Sequence, residues 1–433
     1  MHVARLAEDV PDQGRQQTRK RLLLIAPPNS YRTVSYLESA RRQGVDVLVA
    51  SEGEHSLVGA IASGLHIDLD SPQALEHLLR ANREHPFAGV VATDDTTVEL
   101  GSRIARALDL PHNPPQSAQY SHRKDLSRQV LQAAGVRVPG FRVVSLTGAL
   151  APQLEGLTFP CVVKPLSLSA SRGVIRADTG QQVESACLRI QSILAAEGVA
   201  DEYVSSHLLV ESFISGPEVA LEGLLHRGKL DVLAIFDKPD PLEGPFFEET
   251  YYTTPSRHAA AIQQEIIQCV RDACEGLGLC EGAVHAEVRI GDSGCVIIEV
   301  AARTIGGECA RLLRFGAGHS LEDLVIAHAV GQPLSIKRNS DAAGVLMIPI
   351  TKAGSLRRIE GITRARAVPF IEDILINIRE GYELIPLPEG SSYLGFMFAC
   401  APKPAQVEAA LRKAHAELDV IVAPVMKVLD LRG

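Results

Sequence analysis

The sequence predicts a multidomain protein of mixed α/β and α+β class. An open parallel α/β sheet opens it, a central region is organised around one β-hairpin, and an α+β lobe closes it. Three observations carry this reading. The chain has 433 residues, too many for one small core and suited to two to four domains. Between residues 22 and 108, short apolar runs alternate with helical stretches, the pattern of parallel strands joined by helical crossovers. From Gly344 onward, short apolar runs at 345–350, 371–379 and 395–400 are separated by Gly and Pro turns and followed by a helix at 404–418, which reads as a separate α+β unit.

Composition narrows the function classes. Lys and Arg number 43 against 52 Asp and Glu, a net charge of −9, which argues against a general polyanion binder. Trp is absent and aromatics are 4%, so a stacking platform for single-stranded nucleic acid is not expected. No nucleic-acid partner is predicted. None of the eight cysteines forms a C-x-x-C pair, so zinc and redox motifs are unsupported and the thiols read as reduced core residues. No signal peptide and no apolar run long enough to span a bilayer are found, which predicts a cytoplasmic protein without a membrane partner.

Residues 1–20 read as a disordered arm. Strands follow at 22–25, 45–50, 66–69 and 89–92, with helices at 30–43, after Ser71-Pro72, and at 97–108. The ligand side of such a sheet is the carboxyl end of its strands, which nominates Asn29, Ser51 and Asp94; no G-x-G-x-x-G fingerprint is present. Beyond 111–115 a helix opens at 121–125 and runs to Ala134. Lys124 sits in its first turn, where the macrodipole disfavours a cation unless an anion lies nearby. Lys164 interrupts the apolar strand 161–165, and a lysine buried without a partner is costly. The loop 166–174 offers small residues, hydroxyls and Gly173, suited to backbone contact with phosphate oxygens, although no Walker A pattern is present. Segment 208–219 reads as strand, turn and strand start, whose backbone suits an adenine edge, with Glu218 suited to ribose hydroxyls. It reads equally as a plain turn with surface acids. Residues 246–256 concentrate aromatics, acids and hydroxyls, as a loop near substrate or as packed structure.

The hairpin consists of 284–290, a turn at 291–294, and 296–303. Strand alternation puts Val284, Ala286, Val288 and Ile290 on one face and His285, Glu287 and Arg289 on the other. The same rule places Glu299 with Ile297, and a suitable register brings it near Glu287. Two close carboxylates repel unless a cation lies between them, and a hard ion such as Mg²⁺ shared with phosphates suits that position. Arg303 lies four residues beyond Glu299. Gly306 and Gly307 either present N–H groups to a carboxylate or form a tight turn.

In this order, Lys124, Val162-Val163-Lys164-Pro165, the loop 167–173, the segment 211–218, Glu287 and Glu299 to Arg303 resemble the motifs of the ATP-grasp superfamily, from about Leu22 to the C-terminus. The resemblance implies ATP-grasp central domains, with domains at 21–117, 118–335 (two subdomains meeting near 205–215) and 336–433. It implies ATP as cosubstrate, its phosphates held by Lys124, Lys164 and the loop residues Ser169, Ser171, Arg172 and Gly173. Adenine falls to Glu211, Phe213 and Ile214, and ribose to Glu218. Glu287 and Glu299 would hold one or two Mg²⁺ ions (or Mn²⁺), and Arg303 would stand at the reacting phosphate. Many members read Glu-x-Asn-x-Arg; Ala301 replaces that Asn, which puts a second ion in question. Glu-x-Ala-x-Arg, with 349–354, 386–390 and 393–396, is similar to the bacterial L-amino-acid ligases, which form dipeptides. That likeness implies a carboxylate–amine ligase acting through an acyl phosphate, with small-molecule carboxylate and amine substrates, amino acids among them, and a homodimer as one possible assembly. In that group an acid matching Glu249 meets the first substrate's amino group, with Tyr252, Arg303, Gly306 and Gly307 around the substrate. ATP-grasp chemistry on a non-amino-acid carboxylate, a carboxylase-like reaction, and a nucleotide-binding protein without turnover are the competing readings.

Overall fold

The computed structural model describes residues 19–53, 64–337 and 341–425; of the expected N-terminal arm, only the last two residues fall within this range. Four parallel strands, β1 (Arg21–Ile25), β2 (Asp46–Ser51), β3 (Gly64–His66) and β4 (Gly89–Ala92), form the first sheet in the order β3-β2-β1-β4. Helices Arg32–Gln43, Ala74–Glu84 and Val98–Ala107 connect and flank them. The apolar run Leu22–Ile25 is fully buried, as expected of a strand covered on both faces.

A second sheet holds β5 (Phe141–Ser145), β6 (Cys161–Pro165), β7 (Ile175–Ala177) and β8 (His207–Ser212), all antiparallel in the order β5-β8-β6-β7. Helix Gly180–Glu197 packs on it through Val183, Ala186, Cys187, Ile190 and Leu194. The remaining strands are β9 (Glu218–His226), β10 (Lys229–Lys238), β11 (Tyr251–Thr254), β12 (Gly282–Gly291), β13 (Gly294–Ala301), β14 (Ala342–Ile348), β15 (Gly354–Glu360), β16 (Ile371–Ile376), β17 (Glu383–Leu384), β18 (Gly395–Ala401) and β19 (Asp419–Ala423). Eight of them make one sheet, β13-β12-β9-β10-β11-β14-β18-β16, while β15 pairs with β17 and β19. The eight-stranded sheet crosses the boundary expected near residue 335, because β14 pairs with β11.

Helix Ala260–Leu277 seats the central hairpin. Its Ile266, Val270, Ala273, Cys274 and Leu277 recur at helical spacing and pack on Val284, Ala286, Val288, Ile297 and Val300, one apolar stripe against one sheet face. Gly278 ends the helix at φ 72°, a left-handed cap open to glycine at little cost.

The hairpin departs from strict alternation. The register pairs Val288 with Ile297 but Glu287 with Glu299, leaving Ile298 as an extra residue. This β-bulge reverses the facing beyond it. Ile297 and Val300 both enter the core beneath the helix, and Glu299 turns to the opposite face. The expectation that Glu299 shares a face with Ile297 is therefore corrected. Its proximity to Glu287 stands, and the bulge is what creates it.

The helix expected from 121 is broken at Arg123, which has extended backbone between helices Pro115–His122 and Lys124–Ala133. Lys124 thus starts its own helix, with its N–H donating to the Leu166 carbonyl at 3.0 Å. All eight cysteines are free thiols. Among the described residues, no helix is long and apolar enough to cross a membrane.

Candidate active site

The cleft lies between the second sheet and the eight-stranded sheet. It brings together Lys124, Lys164, Ser169, Ser171, Glu211, Phe213, Ile214, Glu218, Glu249, Glu287 and Glu299. Eleven residues nominated from separate stretches of sequence therefore line one cavity.

On one wall an acid sits between two cations. Glu211, on β8, is 2% exposed. It accepts from Arg128 Nε at 2.6 Å and pairs with Lys164 Nζ at 2.6 Å. Burial opposes its ionisation, but the two cations overcome this and hold its carboxyl down at about 2. Lys164 is thus a paired strand lysine whose ammonium faces the cleft. Lys124 Nζ donates to the Leu168 carbonyl at 2.9 Å and approaches Glu299 Oε1 at 3.4 Å. Between these lysines the loop curls tightly, with Ala170 and Ser171 at φ 56° and 55°, values uncommon outside glycine. Phe213 stands near Phe247, ring centroids 6.3 Å apart, and takes the Arg289 guanidinium over its ring at 5.0 Å.

On the other wall a cation sits among three acids. Lys238 Nζ, at the end of β10, donates to Glu218 at 2.7 Å, Glu249 at 2.5 Å and Glu287 at 2.9 Å. Burial disfavours the ammonium, but the three carboxylates raise its pKa well above the usual value. Glu218 is fully engaged, its other oxygen accepting from Arg289 Nε at 2.8 Å. Tyr252 donates to Glu249 at 2.6 Å. Burial, strengthened by the Glu287 charge and resisted by Lys238, lifts the Glu249 carboxyl to about 7. Glu287 stays ionised: burial acts against it, and Lys238 and His285 outweigh burial. His285 is buried between Glu222 and Glu287. Burial lowers its pKa, but the two neighbouring carboxylates raise it to about 9.

Other nominated residues lie outside this lining. Arg172 donates to the Glu389 carbonyl at 2.8 Å and pairs with Glu197 at 2.6 Å, and the Gly173 N–H donates to the Pro388 carbonyl. The loop is thereby tied to the segment before β18. Tyr252 lies behind Glu249, 2% exposed. Arg303 grips Asp95 of the N-terminal domain in a two-pronged pair at 3.0 and 2.8 Å. Burial opposes ionisation of Asp95, and Arg303 pulls its carboxyl to about 2. Gly306 starts a turn that closes on the Cys309 N–H. At Gly307 (φ 60°) a Cβ would collide with Met347 Sδ at 2.3 Å. Asp94, nominated at a strand end, bonds Ser30 and Arg32; Ser51 is buried and Asn29 exposed.

Lys238, Arg128, Arg289 and Asp95 are central to these networks and were not nominated from sequence. Lys238 closes the apolar run Leu233–Phe236 in the sequence Phe-Asp-Lys-Pro. Like Lys164, it is a lysine ending an apolar strand, costly to bury without a partner.

A strand lysine and a helix-start lysine face paired glutamates on the eight-stranded sheet, with a small-residue loop over the gap, an arrangement suited to a nucleotide triphosphate. Comparison with known families agrees. Residues 37–112 match the ATP-grasp N-terminal domain, 157–311 the ATP-grasp domain, and 346–423 the L-amino acid ligase C-terminal domain 2. The chain thus carries ATP-grasp domains followed by a region similar to the C-terminal domain of L-amino acid ligases. The crystal structure of the L-amino acid ligase from Bacillus licheniformis superposes with a TM-score of 0.78 at 26% identity, over 94% of this chain and 99% of that one. An uncharacterized protein of Sinorhizobium fredii, y4rH, is 26% identical over 95% of this chain and 85% of its own length. The alanine–anticapsin ligase of Bacillus subtilis is 24% identical over 56% of this chain and 54% of its own length, so the match spans about half of that relative. The N5-carboxyaminoimidazole ribonucleotide synthetase purK, crystallised with ADP, shares the fold at 13% identity and TM-score 0.68 over 92% of this chain and 96% of that one.

Proposed function

We propose that this protein is an ATP-dependent ligase that joins a carboxylate to an amine, with amino acids as the substrates and a dipeptide as the product. The observation that carries the reading is the cross-strand pair Glu287–Glu299 facing Lys124 and Lys164 in one cleft. Relatives named as amino-acid ligases support the substrate class.

A free carboxylate is a poor electrophile. In the proposed reaction its oxygen attacks the γ-phosphorus of ATP, the bond to the β–γ bridging oxygen breaks, and ADP leaves. The amine nitrogen then attacks the acyl carbon, the acyl–oxygen bond breaks, phosphate departs, and the amine loses a proton. Such transfer depends on positioning and charge neutralisation. Lys124 and Lys164 hold phosphate oxygens, with Ser169 and Ser171 lining the loop above them. Glu211 fixes the position of Lys164, and Phe213, Ile214 and Glu218 bound the nucleoside end. Arg303, oriented by Asp95, stabilises negative charge at the transferred group. Glu249, oriented by Tyr252, receives the amino group of the first substrate. The tethered loop excludes water from an acyl phosphate that would otherwise hydrolyse.

Glu287 and Glu299 offer hard oxygen donors and suit Mg²⁺ or Mn²⁺; each turns Oε1 toward a lysine. An ion bound there would offset triphosphate charge. Ala301 is buried directly across from His285 and adds no donor to the pair.

The test is phosphate release from ATP on adding amino-acid pairs, with product identified by mass spectrometry. ADP formation that requires both a carboxylate and an amine is expected, and Glu299→Ala should lower turnover at least about a hundredfold. Full activity in that variant, or turnover with bicarbonate in place of an amino acid, sinks the reading.

A further inference from the structure

Away from the cleft, three metal-ligating side chains converge. His226 ends β9, Glu281 leads into β12, and His328 lies in the last turn of helix Leu321–Ala329. One donor atom from each lies within 4.8 Å of the others. A single carboxylate oxygen, Glu281 Oε2, faces His328 Nε2 at 3.2 Å and His226 Nδ1 at 3.6 Å. Ligands at about 2.0–2.1 Å around a tetrahedral zinc ion lie about 3.3–3.4 Å from one another, so both spacings bracket a tetrahedral edge. We propose that His226, Glu281 and His328 form a binding site for a divalent transition metal, Zn²⁺ by preference, with water as fourth ligand.

The donor set selects the metal. Two imidazoles and one carboxylate suit zinc and its first-row neighbours, not Mg²⁺ or Ca²⁺. The supporting structure is built. His226 precedes the tight turn Arg227–Gly228, at φ 50° and 79°, a geometry that joins antiparallel strands without splaying them. The Arg227 N–H donates to Glu281 Oε1 at 3.0 Å and the Gly228 N–H to the Cys280 carbonyl at 2.9 Å. Asn113 clamps the Glu281 backbone from both sides, accepting its N–H at 2.9 Å and donating to its carbonyl at 2.8 Å. Fixing the free oxygen of a ligating carboxylate is the usual work of groups behind a metal site.

The site would act as a clasp. Its ligands come from the β9–β10 turn, the lead into β12, and the helix that packs on the N-terminal sheet. At Gly89 a Cβ would lie 2.3 Å from the Ala329 carbonyl oxygen, and Lys20 donates to the Val330 carbonyl at 2.6 Å. A bound ion would therefore tie the central sheet to the element carrying the first domain. His112, with Nδ1 on the Leu110 carbonyl, lines the adjoining cavity beside Glu281, His328 and Arg303.

Metal-free full-length protein is titrated with Zn²⁺ by calorimetry and with Co²⁺ by visible absorption, and its melting temperature is followed with each. One equivalent of Zn²⁺, tetrahedral cobalt bands without a thiolate charge-transfer band, and a raised melting temperature are expected; Mg²⁺ should produce none of these. His226→Ala and His328→Ala should each weaken Zn²⁺ at least about tenfold and remove the melting shift, whereas Glu299→Ala in the cleft should leave Zn²⁺ affinity intact. His226 is exposed, so its variant folds whether or not the His328 variant does. Unchanged affinity in folded His226→Ala, or no binding by the folded parent, overturns the proposal and leaves a hydrogen-bonded triad. Neither result bears on the ligase reading.

Discussion

Two walls of one cleft solve the buried-charge problem in opposite ways. At Glu211, one carboxylate lies between Arg128 and Lys164. At Lys238, one ammonium lies among Glu218, Glu249 and Glu287. The first wall gathers cations where phosphates are proposed to bind; the second gathers carboxylates where a metal ion and a substrate ammonium are proposed to sit. On the second wall Arg289 beside Glu218 and His285 beside Glu287 add positive charge to that of Lys238, as expected where an uncompensated buried charge costs several kcal/mol.

The comparison can be broken by experiment, beginning with its largest expected consequence. Lys238→Met leaves three carboxylates without their shared cation and should destabilise the fold by about 3–5 kcal/mol, read by urea denaturation. Saturating Mg²⁺ should restore part of the loss if a cation is what the acids need. Glu211→Gln keeps an acceptor but discards the charge, and should cost about 2–3 kcal/mol, with a weaker apparent affinity for ATP. No effect on either readout would separate Glu211 from the nucleotide wall.

Acid titration sharpens the same contrast. Glu211 and Asp95 both have folded-state pKa values depressed to about 2 from ordinary values of 4.5 and 3.8. A depressed carboxyl contributes stability that is fully present above its unfolded pKa and is lost as the pH falls through the folded one. Melting temperature should therefore drop between about pH 4.5 and 2, and Glu211→Gln should flatten that slope. An unchanged slope would show that other groups govern acid unfolding. The smallest effect is expected for Tyr252→Phe, which removes one hydrogen bond to Glu249. It should cost about 1 kcal/mol, seen as a rise of up to about tenfold in KM for the first substrate, whose amino group Glu249 is proposed to receive, with kcat retained.

Much of this arrangement was legible in the chain. Alternating apolar runs announced the parallel sheet, and the lysine inside 161–165 announced a buried cation needing a partner. The ordered motifs from Lys124 to Arg303 announced the superfamily. The facing of Glu299 was misread because a bulge at Ile298 adds one residue to a strand, and a period-two rule has no term for an insertion. Lys238 was passed over because its three partners, Glu218, Glu249 and Glu287, stand 20, 11 and 49 residues away in sequence.

The sequence by itself determined the strand–helix alternation of the first domain, the hairpin 284–303 and the small-residue loop, since each follows from local periodicity and turn chemistry. Only the tertiary structure decided which charges meet. Arg303 finds Asp95 across 208 residues, and His328 meets Glu281 from a different element across 47. Electrostatic partnership falls off over a few ångströms in space and takes no account of distance along the chain, so it emerges only once the sheets have packed.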